Sequence, residues 1–292
     1  MIPSEVMKQI RRIQIRTSRV VNDILAGQYE SVFKGQGMEF KEVREYVPGD
    51  DIRMIDWNVT ARTNTPYVKL LSEERQLTVM LMVDASASGL FGSVTRFKNE
   101  LAAELCAVLA FSAIKNNDNV GLIIFTDEVE RYIPPNKGRK HVLRVIREVL
   151  YFEPKRKGTN IPAALHFLNG VTNRRAVAFL VSDFMAKDYD VPLRIANRRH
   201  DVIAVTVTDP REETLPDVGL IAVRDTETGR ETIINTSDES VRKQYARAAI
   251  ERVKERSTIF MKTGVDAINV RTDQPYTAEI YRFFRMREKR YA

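Results

Sequence analysis

Cysteine is nearly absent from this chain: Cys106 is the only one in 292 residues. A lone cysteine forms no internal disulfide, which excludes a disulfide scaffold and is expected of a reducing cytoplasm. Cys106 also sits in a helical apolar pattern, the setting of a small buried side chain rather than a reactive thiol. No apolar window is long enough to span a bilayer. The opening Met1-Ile2-Pro3-Ser4-Glu5 lacks the charged-then-apolar order of a signal peptide, so a soluble cytoplasmic protein is expected. Histidine is also scarce. His141, His166 and His200 lack zinc spacing and form no Ser-His-Asp set, so they are expected to be structural or surface residues. No Gly-rich loop ends in Gly-Lys-Ser/Thr and no Gly-x-Gly-x-x-Gly follows a strand, which excludes P-loop and dinucleotide-binding chemistry.

What is present fits an ordinary globular protein, with 43% hydrophobic and 29% charged residues. The formal charge of +7 is spread along the chain. It is densest at Lys8, Arg11, Arg12, Arg16 and Arg19, and again at Arg282, Arg285, Arg287, Lys289 and Arg290. Aromatics do not alternate with these bases as they do in a stacking platform, and both groups read as solvated helix faces.

Residues 1–76 read as an amino-terminal subdomain. Val6, Ile10, Ile13, Val20 and Ile24 make one helical stripe over 5–25. Gly35, Gly37, Pro48, Gly49 and Pro66 then punctuate extended pieces such as Met38 to Val43 and Tyr67 to Leu71. Residues 77–292 differ. Leu77 to Val83 is almost continuously apolar, as a strand buried on both faces should be. A helix follows from about Thr95 to Lys115, with Phe97, Leu101, Leu105 and Val108 on one face. Strands at Val120 to Phe125, Ala176 to Val181 and Val202 to Val207 alternate with helices at Arg139 to Leu150 and Val191 to Arg198. Val129 to Ile133 is a short extended piece. This alternation predicts an α/β fold with a doubly wound, mostly parallel sheet. A hairpin (Val218 to Val223 with Glu231 to Ile234) and a helix from Glu239 to Arg256 elaborate it near 209–262. Ala267 to Val270 and a helix from Thr277 to Arg287 complete the sheet.

Open α/β sheets place ligands at the carboxyl ends of their strands. There the first buried strand runs into Asp84-Ala85-Ser86-Ala87-Ser88, and Ala176 to Val181 runs into Ser182-Asp183. Gly158-Thr159-Asn160 precedes a helix between them. Three hydroxyls and two carboxylates suit a hard cation, Mg²⁺ or Mn²⁺, and not zinc or copper. Neutral hydroxyls leave such a cation able to accept one more anionic ligand. The alternative is that Ser86 and Ser88 cap a helix while Thr159 and Asp183 are turn residues. The pattern resembles the metal-ion-dependent adhesion site of von Willebrand factor A (vWA) domains, which implies metal ligation by Asp84, Ser86, Ser88, Thr159 and Asp183. Phe184 stands where many vWA relatives have Gly, and is expected to crowd the pocket rim.

A second set of residues spans 35–75: Gly37, Phe40, Arg44, Tyr46, Pro48-Gly49-Asp50-Asp51, Arg53, Ile55-Asp56-Trp57, Ala61-Arg62 and Glu74. They are expected to form a scaffold. Gly49-Asp50 makes a turn, Trp57 anchors a core, and Arg44, Arg53 and Arg62 pair with Asp51, Asp56 and Glu74. The set resembles the signature of the prokaryotic domain of unknown function 58 family, in which it precedes a vWA-like domain. That resemblance implies a metal-dependent protein-interaction module accessory to a MoxR-type AAA+ ATPase, binding an acidic residue of the ATPase or its client. No enzyme activity is expected. A phosphatase of the haloacid-dehalogenase kind needs a second Asp where Ser86 stands, and no general base is visible. Metal-assisted hydrolysis and nucleic-acid binding through the basic helices stay open as alternatives.

Overall fold

The computed structural model describes residues 38–73, 77–93, 96–224 and 229–291. The helix expected over 5–25, with its basic face, lies outside them. The described residues fall into two compact units, one within Phe33–Leu77 and the other within Thr78–Ala292.

In the smaller unit, strands β1 (Met38–Glu45) and β2 (Tyr67–Glu73) pair antiparallel. Helix α1 (Trp57–Thr63) lies between them in sequence, with Asp56 as its N-cap accepting from the Asn58 and Val59 amides. The turn at Gly49 has φ +113°, a value L side chains rarely adopt. Arg44 grips Asp50 through two bonds of 2.8 and 2.6 Å, so its partner is Asp50 and not Asp51. Arg53 instead faces Asp51 at 3.6 Å, and Asp56 faces Lys69 at 3.6 Å. Glu74 lies outside the described residues. Trp57 is no core anchor. As the first residue of α1 it is 68% exposed, because the helix needs only its Asp56 cap there.

The larger unit is the expected α/β architecture. Its strands are β3 (Thr78–Asp84), β4 (Asn119–Phe125), β5 (Val129–Asn136), β6 (Val177–Ser182), β7 (Asp201–Thr208) and, last, β10 (Asp266–Arg271). They run in the order β10-β7-β6-β3-β4-β5, all parallel except β5, which pairs antiparallel with β4 at one edge. Five consecutive residues of β3 and all six of β6 are buried, as a sheet covered on both faces requires. Met80, Met82, Ile123, Phe125 and Leu180 pack under α4 (Ile161–Val171) and α5 (Asp190–Arg199). The alternate residues Val79, Leu81 and Val83 point to the other face, where α2 (Lys98–Lys115) lies beside α3 (Arg139–Tyr151). Helix α2 is buried around most of its circumference, not along one stripe. Phe97 precedes it as the N-cap and is 49% exposed. Cys106 is fully buried, and burial pushes its thiol up to about 12.

After β7 come the one-turn helix α6 (Pro210–Glu213), a separate hairpin of β8 (Leu220–Arg224) and β9 (Glu231–Asn235), and α7 (Glu239–Thr263). On the carboxyl-terminal helix α8 (Thr277–Tyr291) the residues Arg282, Arg285, Lys289 and Arg290 are exposed, as the solvated basic face of its sequence implies, but Arg287 is not. Arg287 is 3% exposed and clamps Asp201 at 2.9 and 2.6 Å and Asp266 at 2.9 Å. Arg290 also pairs with Asp266, and Arg282 with Glu279. Arg287 and Arg290 tie α8 to the first residues of β7 and β10. Among the described residues no helix is long and apolar enough to cross a membrane.

Candidate functional site

Strand β3 sits between β4 and β6, so the chain leaves it in one direction and returns on the other side. The loops part at that switch point and leave a crevice at the carboxyl ends of β3 and β6. Asp84 is the last residue of β3, and Asp183 immediately follows β6. The strand register that aligns Val83 with Val181 brings the two carboxylates to the same edge.

Each carboxylate is held. Asp84 Oδ1 accepts from the Ser86 amide at 2.9 Å, and Oδ2 accepts from Ser182 Oγ at 2.6 Å. Ser182 Oγ in turn accepts from the Phe184 amide at 3.0 Å. The Ser86 and Ser88 hydroxyl oxygens lie 3.0 Å apart. Asp183 Oδ1 accepts from the Met185 amide at 3.1 Å, while Oδ2 accepts from Lys98 Nζ at 2.8 Å. Lys98 Nζ also donates to Glu212 Oε1 at 2.6 Å. Asp84, Ser88, Lys98, Ser182 and Asp183 line a cavity of about 20 Å³, room for a single water or ion.

Electrostatics separate the two acids. Burial, and secondarily the charge of Asp183, pushes Asp84 up to about 6. Burial also pushes Asp183 upward, but the Lys98 ammonium outweighs it, with help from the Met185 amide and Ser88, and holds this acid below its ordinary range. Asp84 therefore carries the uncompensated negative charge of the site.

Of the five expected ligands, Asp84, Ser88 and Asp183 line the cavity together. Ser86 is buried behind them, touching Ser88 and, through its amide, Asp84. Thr159 does not line the cavity. Its turn is nevertheless fastened to the serine loop, because the Ala87 amide donates to the Lys157 carbonyl at 3.0 Å. Next to it, a Cβ on Gly158 would stand 2.1 Å from Asp127 Oδ1, so a larger residue there requires the exposed Asp127 side chain to swing away. Phe184 has the left-handed φ of 57° that explains a preference for Gly at this position. It does not crowd the rim. The ring is 5% exposed and packs edge-on against Phe260, 5.0 Å between centroids, and against Tyr189.

Lys98, Glu212 and Ser182 are site residues that sequence reasoning missed. Lys98 had a usable signal, a basic residue on the first turn of an apolar helix, where the macrodipole disfavours it. Glu212 had only the signature of a capping box with Asp209. Among the described residues no three His, Cys, Asp or Glu side chains are grouped so as to hold a metal ion.

The family profile described as "Protein of unknown function DUF58" matches residues 42–255. The uncharacterized proteins Rv1480 of Mycobacterium tuberculosis and Mb1516 of Mycobacterium bovis are each 32% identical over 96% of this chain and 89% of their own. Among solved structures, BatB from Bacteroides thetaiotaomicron overlaps 73% of this chain and 99% of its own, at 19% identity and a TM-score of 0.47. The vWA domain of SpRpn10 overlaps 70% of this chain and 94% of its own, at 11% identity and a TM-score of 0.39. The strand order, not these partial overlaps, defines the fold class.

Proposed function

The chain belongs to the DUF58 family of proteins of unknown function, and from that premise we propose that it is a metal-dependent protein-interaction module. Asp84, Ser88 and Asp183, which line the cavity, would hold Mg²⁺ or Mn²⁺ with Ser86 beside them, and Thr159 is the fifth ligand that the vWA resemblance implies. The observation that carries this reading is the pair of buried carboxylates on an ion-sized cavity, with burial and the neighbouring Asp183 pushing Asp84 up to about 6. The donors are all hard oxygens, which fits these ions. When bound, the ion supplies Lewis acidity for one further anionic ligand. The protein's own groups do the rest. Ser182 and the Ser86 amide orient Asp84, and the Met185 amide orients Asp183.

The ligand we propose is an Asp or Glu of a partner, a MoxR-type AAA+ ATPase or its client. The loops that carry the site also expose Leu90, Phe91, Phe97 and Met185, apolar surface suited to a docking rim around a charged centre. No catalysis is proposed, since Asp84, the acid of the cavity without an ion partner, is assigned to the metal. Nor is nucleic acid: on α8 Arg287 is buried against Asp201 and Asp266, and Arg282 and Arg290 are paired with carboxylates.

Calorimetry with Mg²⁺ and Mn²⁺ tests the reading. One site per chain is expected in the wild type, strongly weakened in Asp84→Ala and in Asp183→Ala. Unchanged binding in the double variant would remove the assignment. Capture of the ATPase should be abolished by EDTA, and capture that survives EDTA would move the interface elsewhere.

A further inference from the structure

Lys98 breaks two rules at once. It begins an 18-residue helix, where the positive end of the macrodipole opposes a cation, and it is 3% exposed, which lysine almost never is unless paired. Its ammonium is placed between two acids, 2.8 Å from Asp183 Oδ2 and 2.6 Å from Glu212 Oε1, and it lines the ion-sized cavity. Glu212 is a fixed anchor. Its other oxygen accepts from the Asp209 amide at 2.9 Å, within the capping box of α6. Asp209 is itself fully buried and bonded to Ser93, Thr272 Oγ1 and the Arg211 amide. The other cation nearby, Arg256, reaches only the carbonyl of Asp183, at 3.2 Å. Lys98 is thus the protein's own positive charge on one of the two acids proposed to hold the metal.

We propose that Lys98 is a tethered counter-cation that competes with the metal for Asp183, and that Glu212 retains it when the metal takes that carboxylate. This inference rests on the metal reading above. Its physical content is an exchange of partners without an exchange of burial. Lys98 keeps one buried carboxylate in either state, so a divalent ion can claim Asp183 without leaving an ammonium unpaired in the interior. The Lys98–Glu212 pair then sets the affinity of the site, and occupancy is coupled to the segment from the end of β7 through α6. Removing the competitor frees Asp183 for the metal. Neutralising Glu212 leaves Lys98 with Asp183 alone and tightens its hold there. The two substitutions therefore act in opposite directions, whereas a merely structural triad would lose metal binding in both.

The experiment is Mg²⁺ titration by calorimetry of full-length wild type, Lys98→Met, Lys98→Gln and Glu212→Gln, with thermal melts in EDTA and in Mg²⁺. An opposite charge this close changes a carboxylate's availability by roughly ten- to a thousandfold. Lys98→Met and Lys98→Gln should bind Mg²⁺ about tenfold tighter or more than wild type, and Glu212→Gln about tenfold more weakly. The Lys98 variants should also melt below wild type in EDTA and gain more from Mg²⁺ than wild type gains. Folded Lys98 variants that bind no tighter than wild type, or Glu212→Gln that binds tighter, would overturn the proposal while leaving the metal site standing. If Lys98→Met does not fold, Lys98→Gln and Glu212→Gln decide by the same signs. Absence of Mg²⁺ binding in wild type and Lys98 variants alike would sink the metal reading itself, and Lys98 would then be a structural ion-pair residue.

Discussion

Asp84→Asn should make the metal-free protein more stable, although it removes a site residue. An acid that sits at about 6 in the folded chain against an ordinary 3.8 is destabilising when ionised, by about 3 kcal/mol at neutral pH. Asparagine carries no charge and keeps an acceptor for the Ser86 amide. Its amide nitrogen would face Ser182 Oγ, which now donates to Asp84 at 2.6 Å, so that hydroxyl must reorient at a cost of about 1 kcal/mol. The net expectation in EDTA near pH 7.5 is a gain of about 2 kcal/mol, or about 4 to 8 °C in Tm for a unit of this size. The sign reverses the usual carboxylate behaviour. Because the folded value lies above the unfolded one, the penalty is present above about 6 and fades as pH falls from 6 to 3.8. The advantage of Asp84→Asn should therefore shrink to nothing by about pH 4.5. Thermal melts of both proteins in EDTA, read as a difference across pH, isolate this acid from every other titrating group. An Asp84→Asn protein less stable near neutrality, or a difference that is flat across that range, would refute the electrostatic account of the site.

Burial, with the charges of Arg199 and Arg175, pushes His200 down to about 4, so it is neutral in the fold. Its stabilising contribution should be complete above the ordinary 6.5 and lost as pH falls from there towards 4, and its ring signals in an NMR titration should have their midpoint near 4. Arg287→Met should cost about 3 kcal/mol or more by urea denaturation, because it leaves the carboxylates of Asp201 and Asp266 without their shared buried partner. A loss under about 1 kcal/mol would mean that the arginine's desolvation cancels its bonds.

The fold could be read from the sequence wherever burial writes itself into composition. Strands covered on both faces appear as unbroken apolar runs, and the oxygen donors stand directly after two of them. What could not be read depends on contacts between distant residues or on exceptions to composition. Lys98 meets Glu212 across 114 positions, and no local pattern pairs them. Arg287 looked like one member of a basic face because its two acids lie in other elements. Trp57 looked like a core residue because tryptophan usually is one, yet the helix start it occupies is solvent-facing. Phe184 shows the reverse. Its position is set by the backbone, which favours Gly, and the ring is accepted because Phe260 and Tyr189 offer it an apolar seat.

The antiparallel edge strand β5 ends in Ile133-Pro134-Pro135-Asn136 and pairs with β4 through an irregular register beside the prolines. Proline has no amide hydrogen to offer a neighbouring chain. At that end of β5 the open margin of the sheet therefore lacks an amide donor, and a further strand finds no regular ladder there. Growth of the sheet by a second copy is disfavoured where the prolines stand, and the irregular end of β5 acts as a stop on that flank.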